Sequence, residues 1–169
     1  MRQTEGNDSG LPDYDPTEKQ RIERANQVFL RLKKQLHDRD GQFAERDLRE
    51  AAQSARWLRE IVEQRPDELN LACEDALAES ELIEEDKVYL RSGIEKAGGF
   101  SSFVQHNLRR LEEAAPNEEE TGDPTAKISH QDLMCGMVAG LVAGGVMMRN
   151  LFYFGFAVGT LRKAGCWQG

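Results

Sequence analysis

Seven acids fall within thirteen residues near the middle of this chain: Glu74, Asp75, Glu79, Glu81, Glu84, Glu85 and Asp86. Carboxylates that close together are the first place to look for a divalent cation or a general acid. Their spacing lacks the regular oxygen ligands and bend glycine of a calcium loop. They fall between and around apolar positions of helical period, so a solvated acidic face is expected. The three histidines, His37, His106 and His130, are far apart, and no Cys/His cluster at ligand spacing surrounds any of them, so no metal site is expected. Cys73, Cys135 and Cys166 are odd in number and widely spaced. That does not make a disulfide framework, and a reducing compartment is the simpler context. Cys73 and Cys135 lie inside apolar stripes and read as small packing residues. No glycine-rich phosphate loop follows a strand, and neither GxSxG nor a paired Cys and His occurs. No catalytic residue and no cofactor are therefore expected, and the function reads as non-enzymatic.

Charge narrows the partners. The chain carries a formal −8 over 169 residues. Residues 131–169 hold three bases against one acid, so residues 1–130 carry −10. Nucleic acid is an unsuitable partner for that part, since phosphate binding needs clustered cations. The opening residues, MRQTEGNDSGLPDYDP, lack the apolar stretch of a signal peptide.

The elements that would position any site are helices. Residues 1–14 are polar and glycine-rich and are expected as a disordered tail. Asp15-Pro16-Thr17-Glu18 gives a capping side chain, a proline in the first helical position and an acid in the first turn. Ile22, Ala25, Phe29, Leu32 and Leu36 then recur at three and four residues, up to the turn chemistry of Asp38-Arg39-Asp40-Gly41. Leu48, Ala51, Ala55, Leu58 and Val62 form a second stripe that ends at Arg65-Pro66, so the first two helices make an antiparallel hairpin. A third helix over 67–78 carries Leu69, Ala72, Cys73 and Ala76. A fourth over 81–97 carries Leu82, Ile83, Leu90 and Ile94 and stops at Gly98-Gly99. Ser101 or Ser102 can cap a last helix with Phe103, Val104, Leu108 and Leu111. No run rich in Val, Ile or Thr alternates apolar with polar, so strands are not expected. The fold class is all-α: a small helical domain over 15–113 with a long N-terminal hairpin, an acidic linker over 114–130, and an apolar glycine-rich helical segment over 131–169.

That last segment is the strongest feature. Residues 133–161 carry one charge, Arg149, and six glycines. The charge-free run 133–148 is 16 residues, just under the roughly 17–25 of a spanning helix. A span starting at Leu133 puts Arg149 at the boundary, where it can snorkel, with Phe152, Tyr153 and Phe154 at the membrane interface and Arg162, Lys163 and Trp167 beyond. Cys166, beside that basic pair, is then placed for acylation, with an unmodified thiol the simpler expectation. Gly136, Gly140 and Gly144 share one face that permits close helix approach, and Gly155 and Gly159 repeat the spacing. The competing expectation is a helical hairpin, arms 133–148 and 151–161, buried in protein.

The layout resembles tail-anchored adaptors in architecture. It implies a membrane-anchored, non-enzymatic adaptor whose cytoplasmic helical domain binds a protein partner and whose glycine face holds copies together as a homo-oligomer in lipid. A pore-forming membrane effector and a soluble oligomeric helical scaffold that buries the C-terminal segment are the alternatives.

Overall fold

Asp15 and Glu18 cap each other: the Glu18 amide donates to Asp15 Oδ1 at 2.8 Å and the Asp15 amide to Glu18 Oε1 at 3.1 Å. This reciprocal pairing satisfies amides that the first helical turn leaves open, and it starts α1 (Pro16–Arg39) with proline in the first position. A computed structural model describes residues 14–39, 43–114, 125–126, 130–150 and 153–164. After α1 come β1 (Phe43–Ala44), α2 (Glu45–Gln64), α3 (Pro66–Glu79), α4 (Glu84–Lys96), α5 (Phe100–Ala114), β2 (Thr125–Ala126), α6 (His130–Met148) and α7 (Tyr153–Ala164). The fold is all-α, with, among the described residues, one two-residue antiparallel clip in which Phe43 faces Ala126 and Ala44 faces Thr125. The expected tail 1–14 falls outside the described residues except Tyr14, which is buried. The expected acidic linker likewise falls outside them, except for Ala114, which ends α5, the β2 pair and His130, which opens α6.

Helix ends follow local chemistry. At the end of α4, Gly98 takes φ +98°; its amide donates to Glu95 O at 3.0 Å and that of Gly99 to Ile94 O at 2.9 Å. This closing turn needs a left-handed residue, which glycine adopts without penalty. The same pair of bonds ends α6, from Asn150 N to Gly145 O at 2.8 Å and from Arg149 N to Val146 O at 3.3 Å. There the left-handed position holds Arg149, φ +57°, at a cost of about 1–2 kcal/mol.

The apolar stripes read from the sequence meet in one core. Ile22, Phe29 and Leu32 of α1, Leu48, Leu58 and Val62 of α2, and Phe103, Leu108 and Leu111 of α5 are all buried. Their centre is α6. It packs against α5, α1 and α7, and more lightly against α3 and α2. Every residue from Leu133 to Met147 is buried. A helix that is apolar on all sides needs partners on all sides, and here protein supplies them. Among the described residues one helix, Gln131–Met148, is long and apolar enough to cross a membrane by length and composition, and 83% of that stretch is enclosed by the rest of the fold.

Ion pairs clip the outer helices. Arg59 grips Glu112 with two bonds, Nε–Oε2 at 2.6 Å and Nη2–Oε1 at 3.0 Å, tying α2 to α5. Arg65 donates to both Glu18 oxygens, at 2.7 and 2.9 Å, and lies over the Tyr14 ring at 5.2 Å. Glu112 and Glu18 hold their arginines charged, raising both guanidinium pKa values chiefly through these hydrogen bonds. The two ends of α6 are also tied: Arg110 contacts Asp132 Oδ1 at 2.9 Å, and Arg149 contacts Glu79 Oε2 at 2.8 Å.

Candidate functional site

The glycines expected to form a helix–helix face in lipid lie against this chain's own side chains. A Cβ added at Gly136 would stand 2.5 Å from Leu111 Cβ of α5, and one at Gly140 would stand 2.5 Å from Phe29 Cε2 of α1. At Gly144 an added Cβ would fall on Asn26 Oδ1. The close approach that the spacing implies is made, but to α1 and α5. Gly155 and Gly159 are exposed on α7, with no described atom within 4 Å of an added Cβ.

The residues expected at a lipid interface have other surroundings. Tyr153 and Phe154 are buried against the core, 9% and 1% exposed. Arg149 pairs with Glu79. Arg162 and Lys163 belong to α7, but their side chains, like Phe152, Cys166 and Trp167, lie outside the described residues. In this fold the amphipathic helices α1 and α5 cover the face of α6 that carries Gly136, Gly140 and Gly144.

The histidines fall on three helices: His37 in α1, His106 exposed on α5, and His130 opening α6. Among the described residues no three His, Cys, Asp or Glu side chains are grouped to hold a metal. Cys73 is free, and burial, then the charge of Glu74, pushes its thiol up to about 12. A thiol that holds its proton so tightly is a poor nucleophile. Cys135, expected as a packing residue of a reducing compartment, is buried and disulfide-bonded. That corrects the expectation for Cys135, which number and spacing alone leave unpaired, whereas Cys73 is the buried free thiol expected.

Among the described residues a cleft opens that sequence spacing did not reveal. It lies between α3 and α4 above the start of α5 and has a volume of about 180 Å³. Cys73 and Leu77 from α3, Ile94 from α4, and Phe100 from α5 make its buried lining, with Glu74, Arg91 and Glu95 at the exposed edge. Asn70 braces it, its Oδ1 accepting the Ser101 amide at 3.1 Å, so the first turn of α5 is fixed to α3. Gly99, at φ +111°, lets the chain turn beneath Asn70.

The same 66–96 segment carries the three most exposed large apolar side chains among the described residues: Leu71 at 66%, Ile83 at 62% and Val88 at 48%. By helical spacing Leu71 lies one turn from Glu74, and Val88 one turn from Arg91 and two from Glu95, so each stands beside a charged residue of the cleft's edge. Over 66–96 there are ten acids and three bases, a formal −7. Of the acids singled out above, Glu74 is at the cleft, Glu79 pairs with Arg149, and the others lie on the exposed or half-buried surface around them. The signal that could have found the site is small: Leu71 and Val88 stand off the apolar stripes, among charges.

No protein family matches this chain, and neither curated proteins nor solved structures provide a match. The site's chemistry must therefore be read from the chain's own residues.

Proposed function

We propose that this protein is a non-enzymatic binding module whose α3–α4 face docks a partner protein, with α6 as the core of the module. One observation carries this reading: a cleft over Leu77, Ile94 and Phe100 opens between α3 and α4, and the same 66–96 segment leaves Leu71, Ile83 and Val88 in solvent, in a molecule that buries its long apolar stripes. Exposed apolar side chains rimmed by charge are the usual mark of a docking surface. The cleft falls below the roughly 300–1,000 Å³ of small-molecule pockets, which favours a side-chain anchor over a free ligand. The test is selection of binders from a library of helical peptides on the full chain, with the docking site mapped by hydrogen exchange. Protection of 70–77 and 88–95, lost in the pair Leu71→Ser and Val88→Ser, is expected. Binders that protect only other helices would refute the reading.

A second reading, membrane residence, is favoured by the length and composition of Gln131–Met148. Lipid would have to replace Phe29, Leu111 and the rest of the enclosing bundle, leaving the apolar faces of α1 and α5 without their central partner. A pore or a glycine-zipped oligomer requires the same release. Flotation with liposomes separates the readings: the binding module stays with the soluble fraction, and a membrane protein rises with the lipid.

A further inference from the structure

Resting on the reading of the α3–α4 face as the docking surface, we propose that its occupant is a cationic amphipathic helix of a partner protein that seats one apolar side chain in the cleft.

The shape sets the first term. Two helices with an opening between them form a groove, and grooves of this kind take the apolar side of a third helix through anchors spaced three, four and seven residues apart. A volume of about 180 Å³ over Leu77, Ile94 and Phe100 holds a single anchor, and Leu71 and Val88, each one helical turn from a charged residue of the cleft, are exposed for further apolar contact. No extended edge competes for a strand-like ligand, because the only described ladder is the two-residue clip.

Charge sets the second term. The stretch 66–96 carries a formal −7 of the chain's −8. Glu74 and Glu95 lie at the cleft on opposite walls, and neither forms an ion pair among the described residues. Arg91 is the one base in the lining, so the cleft itself is net negative. Each wall thus presents an apolar side chain within one or two turns of a carboxylate. The complement is a helix with Lys or Arg one turn from its apolar anchor. A field of this sign attracts such a helix and repels an acidic one. It also disfavours a second copy of this acidic chain and an anionic lipid surface.

The experiment uses the full chain and dye-labelled helical peptides of about five turns, read by fluorescence anisotropy. One alternates Leu and Lys at helical period, one has Glu in place of Lys, and one has Ser in place of Leu. The Leu/Lys peptide is expected to bind at least about tenfold tighter than either other and to weaken as salt rises. The exposed pairs Glu74→Lys with Glu95→Lys, and Leu71→Ser with Val88→Ser, should each weaken it by about tenfold or more, with unfolding temperatures unchanged. Equal binding of the Leu/Glu peptide, still sensitive to Leu71→Ser with Val88→Ser, would overturn the charge claim while leaving the docking face standing. Equal binding of the Ser/Lys peptide would reduce the effect to general attraction and overturn the proposal. Leu/Lys binding indifferent to both pairs would sink the proposal and the docking face together. Failure of the Leu/Lys peptide to bind would overturn the proposal alone, the library selection deciding the face separately.

Discussion

Replacing Gly140 with alanine separates a protein-packed α6 from one that needs no protein partner, because the two predict opposite signs. At this position a Cβ would stand 2.5 Å from Phe29 Cε2 and 2.7 Å from both Cδ2 and Cζ. Carbon pairs settle at about 3.5–4.0 Å, so the ring or the helix must give by about 1 Å. Phe29 is fully buried and presents a rigid ring rather than a flexible end. Overpacking of this kind costs about 1–3 kcal/mol, and three ring atoms inside the contact limit place it at the upper end. Alanine returns about 1 kcal/mol through its better helix propensity. The net expectation is a loss of about 2 kcal/mol, a fall of about 4–8 °C in Tm for a chain of this length. Gly159 is the control. Nothing described lies within 4 Å of its Cβ position, so Gly159→Ala should gain about 1 kcal/mol and about 2–4 °C. Scanning calorimetry of both variants in detergent-free buffer reads the contrast. A rise for Gly140→Ala equal to that for Gly159→Ala would refute the packing of α6 on α1.

Three further expectations concern the clips and the thiol. Arg59→Ala leaves Glu112 half-buried without its two bonds and should cost about 2 kcal/mol in urea unfolding, whereas Arg24→Ala, which loses an exposed pair with Glu50, should cost under about 1 kcal/mol. Arg149→Gly should be more stable than Arg149→Val by about 1–2 kcal/mol, since both lose the contacts of a side chain only 18% exposed, the Glu79 pair among them, and only glycine relieves the left-handed strain. Cys73 holds its proton to about 12 in the fold against an ordinary value of 9.0; its contribution is full below pH 9.0 and is lost as pH climbs toward about 12. Stability should therefore fall by about 1.4 kcal/mol per pH unit in that window relative to Cys73→Ala, and denaturant melts at stepped pH show whether the two chains diverge.

Much of the helical framework was legible because its signals are local. The Asp15 to Glu18 cap, the stripes through Phe29, Leu58 and Leu108, and the Gly98-Gly99 stop each state their structure within a few residues. Helix starts were less exact: α4 opens at Glu84, three residues later than the expected start at 81, and α5 opens at Phe100, with its Ser101 amide taken by Asn70 from a distant helix. The surroundings of α6 were not legible, because a helix apolar on every side states only that water is excluded. Gly136, Gly140 and Gly144 announced a close neighbour without naming it. The neighbours, Leu111, Phe29 and Asn26, come from segments 25 to 118 residues away. The cleft was hidden for the same reason: Leu71 and Val88 become a site only once α3 and α4 stand side by side.

Hydrogen exchange of the full chain in plain buffer tests the enclosure of α6 most directly. Amides over 133–147 should be among the slowest in the molecule, opening only with global unfolding, in a monodisperse and detergent-free sample. A chain that stays in solution only with detergent, or α6 amides that exchange well before those of α2 and α5, would contradict it.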